Sequence, residues 1–160
     1  MTKVFVAAGS NIEPQRNLKR ALAELERRFG LLEISRAYRN PTFGFEGPDF
    51  INLAVGFDTS RELQDVVAQL RDIETLCGRE RNAPKWNSRA MDLDIVLFGD
   101  LIHQTPGLTL PRPCLLKRPY MLGPIAEIAG DVRHPLVGKT LAELWDGFDH
   151  AAHPLAPVDL

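Results

Sequence analysis

The chain has 160 residues, 19 Lys+Arg against 21 Asp+Glu, a net charge of −2, 44% hydrophobic and 25% charged residues. Those proportions exclude a disordered or fibrous chain, and the slightly acidic balance argues against general binding to nucleic acid or anionic membrane, so any basic site must be local. A chain of this length buries roughly 68–70% of its unfolded surface, which predicts one domain over 1–160; it carries no apolar run near the roughly 18 residues of a membrane span and no signal-peptide layout at Met1–Val6.

Val4–Ala8 is a continuous apolar run closed by Gly9-Ser10-Asn11, the pattern of a buried strand ending in a turn. Pro14 suits a first helical position, and Leu18, Leu22, Leu25 and Phe29 keep one helical face until Gly30. Leu32, Ile34 and Tyr38 alternate, predicting a second strand within Leu31–Tyr38, and the two prolines and two glycines of Arg39–Asp49 predict a long loop. In the next strand Ile51, Leu53, Val55 and Phe57 share one face, while Phe50, Asn52, Ala54 and Gly56 share the other. Thr59 with Glu62 reads as a capping box, followed by a helical stripe of Leu63, Val66, Val67, Leu70, Ile73 and Cys77 that ends at Gly78. A polar stretch, Arg79–Ala90, leads into the strand Met91–Phe98 and the turn Gly99-Asp100. The order β-α-β-β-α-β predicts an α+β fold with a ferredoxin-like core, an antiparallel sheet with flanking helices. Prolines at 106, 111, 113, 119, 124 and 135 divide the remainder into extra short C-terminal strands and helices, and 151–160 reads as a flexible tail.

Asp92-Leu93-Asp94 is the most informative chemical spot. Residues two apart on a strand share a face, so the two carboxylates project together while Leu93, Ile95 and Leu97 face the core. Paired hard oxygen donors suit Mg²⁺ completed by phosphate oxygens, although two solvated carboxylates at a sheet edge give the same pattern. The preceding stretch adds Arg79, Arg81, Lys85 and Arg89 against Glu80, a local cationic cluster of the kind a Mg²⁺–polyphosphate needs. Trp86 lies amid these polar residues, either as a contact for a ligand or as a cap on the core. Gly138-Lys139-Thr140 lacks the earlier glycine of a phosphate loop, since position 133 is Arg, and Thr140 with Glu143 reads instead as a capping box toward Trp145. Gly9-Ser10-Asn11 could offer amides to a phosphate, but a turn is the simpler role. His103, His134, His150 and His153 have no metal-site spacing, and Cys77 and Cys114 read as free thiols of a cytoplasmic protein.

The run Lys85-Trp86-Asn87-Ser88-Arg89-Ala90-Met91-Asp92-Leu93-Asp94-Ile95-Val96 resembles the signature of the 6-hydroxymethyl-7,8-dihydropterin pyrophosphokinase family of folate biosynthesis. The resemblance extends over Ala8–Asn11, Tyr38–Pro41, Phe50–Asn52, Ile73-Glu74, Gly78-Arg79, Leu110-Pro111, Arg118 and His134-Pro135. It implies transfer of pyrophosphate from ATP to the pterin hydroxymethyl group by a monomer that binds small molecules and neither nucleic acid nor membrane. Asp92 and Asp94 match the pair that holds two Mg²⁺ ions. Asn52 matches the side chain that bonds the pterin, Phe50 and Tyr120 the aromatics that sandwich it, and Asn40 and Phe43 further pterin contacts. Arg79, Arg89 and Arg118 match cations around the triphosphate; Lys85 and Trp86 match a loop that closes over ATP, with Glu74, Ile95 and Arg112 as further ATP contacts. Arg79 and Arg89 join the two aspartates as the catalytic set.

There are departures. Arg112-Pro113-Cys114 stands where the family has histidine, proline and arginine after Leu110-Pro111, and an arginine does not titrate near neutral pH. Asn87 replaces a small residue. These departures support an alternative reading as a weakly active paralogue that binds ATP and pterin. A non-catalytic RNA-binding module on the same framework is a third reading; it calls for basic and aromatic residues spread over the sheet, and this chain has an acidic pair there instead.

Overall fold

Apolar residues on both sides of the central strands require cover on both sides, and the architecture supplies it. The computed structural model describes residues 1–42, 46–79, 88–149 and 155–160. In chain order the elements are β1 (Thr2–Ser10), α1 (Pro14–Phe29), β2 (Glu33–Ile34), β3 (Ala37–Asn40), β4 (Phe50–Thr59), α2 (Leu63–Leu76), β5 (Asp92–Phe98), β6 (His103–Thr105) and β7 (Leu108–Leu110). A short 3₁₀ turn (Pro113–Leu116), α3 (Pro119–Ala129), α4 (Leu141–Asp146) and β8 (Ala156–Val158) follow. The main sheet runs β5-β1-β4-β3-β8, with β2 also paired to β4, and every pairing is antiparallel. With β2 and β3 taken as one interrupted strand, this is the expected ferredoxin-like core.

One core layer lies between the sheet and α1 and α2. Leu18 and Leu25 of α1 and Val66, Leu70 and Ile73 of α2 close on Val6, Leu53, Val55 and Phe57. The second lies on the opposite face, where Met121, Leu122 and Ile125 of α3 and Leu141 of α4 cover Phe5, Ala54 and Val96. The face-by-face division of β4 therefore holds. Cover by α3 and α4 also removes the open sheet face that an RNA-binding module would use. Among the described residues no helix is long and apolar enough to cross a membrane.

Several local expectations are corrected. Leu97 faces the second layer with Val96, not the first with Ile95, because the β1–β5 register shifts between Phe5 and Val6; a bulge adds one residue to β5 and reverses the facing of the residues beyond it. The predicted strand in Leu31–Tyr38 is interrupted: buried Ser35 accepts a bond at Oγ from Ala54 N (2.8 Å) and its own N donates to Ala54 O (2.9 Å), leaving Ile34 exposed and Ala37 buried. Thr59 is no helix cap. β4 runs through it, its Oγ1 accepts from Arg61 N, and Glu62 caps α2 without a side-chain bond. The box at Thr140 and Glu143 does form, with both reciprocal bonds. Where the sequence suggests a flexible tail, Ala156–Val158 pairs with β3, and Val158 and Leu160 pack on the first core layer.

Candidate active site

The site is built on one row of residues across three strands. Gly9 of β1 pairs with Asp92 of β5 on one side and with Asn52 of β4 on the other. Directly opposite residues in antiparallel strands share a face, so the carboxylate and the carboxamide stand on the same side, two strand spacings apart, or about 10 Å. Gly9 itself puts no side chain between them, and the Asn52 carboxamide leans over it. A Cβ at position 9 would lie 2.5 Å from Asn52 Oδ1, so only glycine leaves that amide in place. The expected turn at Gly9-Ser10-Asn11 is therefore a continuation of β1 through Ser10, with Gly9 as the floor of the site.

On the Asn52 side, Asn52 Nδ2 donates to Asn40 Oδ1, which fixes the carboxamide's orientation. Asn40 pairs in register with Phe50, so these two and Asn52 cluster where β3 meets β4. Tyr120, at the start of α3, feels the Asp92 and Asp94 charges, and burial pushes its phenol above the usual range against the opposing Arg118 charge. Phe43, assigned to this group from the resemblance, lies outside the described residues.

On the Asp92 side, charge is arranged in a chain. Arg79 Nη1 donates to Glu74 Oε2 (2.6 Å) and to Asp92 Oδ1 (3.0 Å). Buried Glu74 also accepts from Leu93 N at 2.8 Å, gripping the backbone between the two aspartates. Arg112 is held by Nε donating to Ile95 O (2.9 Å) and by its backbone N donating to Val96 O, which leaves Nη2 3.7 Å from Asp94 Oδ1. Even so, the Asp94 carboxyl is pushed up to about 7, first by burial and next by the Asp92 charge beside it. Two carboxylates that repel in this way form a donor set a divalent cation would relieve. Among the described residues no group of three or more acidic, imidazole or thiol side chains is placed to hold a metal ion, so such a cation would complete its shell with phosphate and water oxygens.

A cavity of about 420 Å³ opens beside this cluster, over the β5 edge between α2 and β7. It gathers Glu74, Arg79, Arg89, Asp92, Asp94 and Arg112, and Ile95 joins its wall. Arg118 stands apart from its lining, at the N-cap of α3. Lys85 and Trp86 lie outside the described residues. Sequence reasoning passed over the rest of the wall, Val67, Leu70, Arg71, Leu93, Gly107 and Leu108; apolar spacing marked Val67, Leu70 and Leu93 only as core. It also passed over the load on Ser10 and Asn11. Ser10 Oγ donates to Ala90 O (2.6 Å), and Asn11 bonds to both flanking loops.

A family model described as 7,8-dihydro-6-hydroxymethylpterin-pyrophosphokinase matches residues 5–130. Among curated proteins, the 2-amino-4-hydroxy-6-hydroxymethyldihydropteridine pyrophosphokinase of Synechocystis sp. is 39% identical over 157 residues, covering 95% of this chain and 80% of that protein. The protein of the same name from Pseudomonas aeruginosa is 36% identical over 146 residues, covering 89% of each. The fold is shared with a crystal structure of an HPPK-DHPS protein in complex with substrates, at a TM-score of 0.72 and 12% identity over 94% of this chain. The chain spans 44% of the length of that two-part protein.

Proposed function

Because the chain belongs to the 7,8-dihydro-6-hydroxymethylpterin-pyrophosphokinase family, we propose that it transfers pyrophosphate from ATP to the hydroxymethyl group of 6-hydroxymethyl-7,8-dihydropterin, in folate biosynthesis, as a cytoplasmic monomer. The hydroxymethyl oxygen bonds to the β-phosphorus of ATP, the bond from that phosphorus to the α–β bridging oxygen breaks, AMP leaves, and the hydroxyl proton passes to solvent. The observation that carries this reading is the row Asp92–Gly9–Asn52, which puts a carboxylate and a fixed carboxamide on one sheet face, on strands two spacings apart with only a glycine on the strand between.

In this reading Asn52, oriented by Asn40, reads the edge of the pterin, while Phe50 and Tyr120 supply its stacking surfaces and Phe43 a further contact. Arg79, Arg89, Arg112 and Arg118 neutralise and orient the triphosphate, with Lys85 and Trp86 as additional nucleotide contacts. Asp92 and Asp94 would hold Mg²⁺, two ions by family resemblance, which supplies positive charge to the phosphate oxygens when bound. No protein nucleophile is required, since positioning and charge neutralisation dominate such transfers. Glu74, in the wall of the nucleotide cavity, also holds Arg79 and the Leu93 amide.

The test is incubation with ATP, Mg²⁺ and the reduced pterin, with products separated by anion exchange. AMP and the pterin diphosphate are expected in equal amounts, and only when Mg²⁺ is present. ADP in place of AMP would overturn the reaction type, and binding of both substrates without turnover would favour the paralogue reading.

A further inference from the structure

Asn11 is 2% exposed and sits just beyond the end of β1. A buried carboxamide is costly unless its polar atoms are matched, and the matches here go to two separate segments. Oδ1 accepts from Arg89 N at 2.7 Å, and the Asn11 backbone N donates to Arg89 O at 3.1 Å. Nδ2 donates to Ser88 Oγ at 3.2 Å and to Pro48 O at 3.1 Å. Pro48 lies two residues ahead of Phe50, where the pterin side begins. Arg89 lies three residues ahead of Asp92 and lines the nucleotide cavity. Neither segment is in a strand at these positions, so one amide fixes both to the same point of the sheet.

We propose that Asn11 is a positioning residue that couples the two halves of the site, so that occupation of the nucleotide side raises affinity on the pterin side and the reverse. The proposal rests on the two-substrate reading above. Its physical basis is linkage: a ligand that settles 88–90 also settles Asn11, and through Nδ2 the carbonyl of Pro48, which lowers the cost of ordering the other half. A purely structural asparagine would behave differently. Its loss would lower stability and weaken each ligand alike, leaving their mutual effect unchanged.

Calorimetric titration with α,β-methylene-ATP plus Mg²⁺ and with 6-hydroxymethylpterin, each alone and each in the presence of the other, gives the coupling factor directly. Wild type is expected to show a factor of about five or more, in the usual range for coupled sites. In Asn11→Asp, which keeps the acceptor for Arg89 N and loses the donor to Pro48 O, the factor should fall to within about twofold of one, with binary nucleotide affinity nearly unchanged. Asn11→Ala should lose coupling and some nucleotide affinity. Ser88→Ala, which deletes one anchor of Nδ2 while Asn11 stays, should lower the factor part of the way and carries the test if the Asn11 variants melt below the assay temperature. An unchanged factor in any folded variant, or a wild-type factor within twofold of one, overturns the proposal. A wild type that binds neither probe overturns the two-substrate reading, and the coupling role falls with it.

Discussion

Replacing Asp94 by Asn should stabilise the protein in the absence of divalent cations. The Asp94 carboxyl is raised from 3.8 to about 7 by burial and by the Asp92 charge. An acid whose folded value lies above its unfolded one binds more protons when folded. Its contribution is therefore harmless below about pH 4, grows more destabilising as pH rises to about 7, and is level above that. At about 1.4 kcal/mol per unit the full shift corresponds to about 4 kcal/mol as a ceiling. The Asp94 side chain is still 33% exposed, so solvent screening brings this to about 1–2 kcal/mol. For a domain of this size that is a rise in Tm of about 2–8 °C at pH 8, shrinking toward zero at pH 4. Thermal unfolding by circular dichroism in EDTA, from pH 4 to 8, measures it. Adding Mg²⁺ and α,β-methylene-ATP should then raise the melting temperature of wild type and do little for the variant, reversing their order. If Asp94→Asn melts below wild type at pH 8, attraction to Arg112 outweighs repulsion from Asp92, and the pair is not a strained donor set.

Asn52→Ala should weaken pterin binding by about 10- to 100-fold and nucleotide binding by less than about threefold, because it leaves polar atoms of the heterocycle unpaired; calorimetry with each ligand decides it. Gly9→Ala should mimic that loss, since the new methyl group meets Asn52 Oδ1 at 2.5 Å, and a crystal structure of the variant should show the carboxamide displaced. Arg79→Ala removes the guanidinium from buried Glu74 and should cost about 2–4 kcal/mol in urea unfolding, with Arg79→Lys recovering part of it; a cost below about 1 kcal/mol would mean that the Leu93 amide alone satisfies the carboxylate.

Patterns that involve one element at a time were legible in the sequence. The alternation in Phe50–Thr59, the stripe of α2 and the box at Thr140 each depend on local spacing, and each is realised. Expectations failed where a neighbouring strand decides the outcome. Leu97 changes face because of a register shift against Phe5, and Leu31–Tyr38 breaks because Ser35 bonds to Ala54, and neither partner is near in sequence. The same division holds in the site. Asp92 and Asp94 declare themselves by spacing two apart, whereas the importance of Gly9 arises only when β4 and β5 are placed on either side of it. Asn11 looked like a turn residue because Gly-Ser-Asn is turn chemistry; its burial depends on loops 37 and 78 residues away. Glu74 is named by the resemblance as an ATP contact, but its grip on the amide of Leu93 needs the fold to be seen.

The last described strand has a consequence for how the protein behaves in solution. The sheet has two outer edges, and the nucleotide side of the site lies at one of them, β5. At the other, β8 lies along β3 for only three residues, with Pro157 opposite Tyr38 at its centre. A proline has no N–H to offer a further strand, and so short a strand gives a poor template for another chain. β8 thus serves as a guard on β3, whose unpaired amides would otherwise invite edge-to-edge association. Removing residues 155–160 should leave the nucleotide side at the opposite edge in place and make the protein self-associate, visible by light scattering as concentration rises.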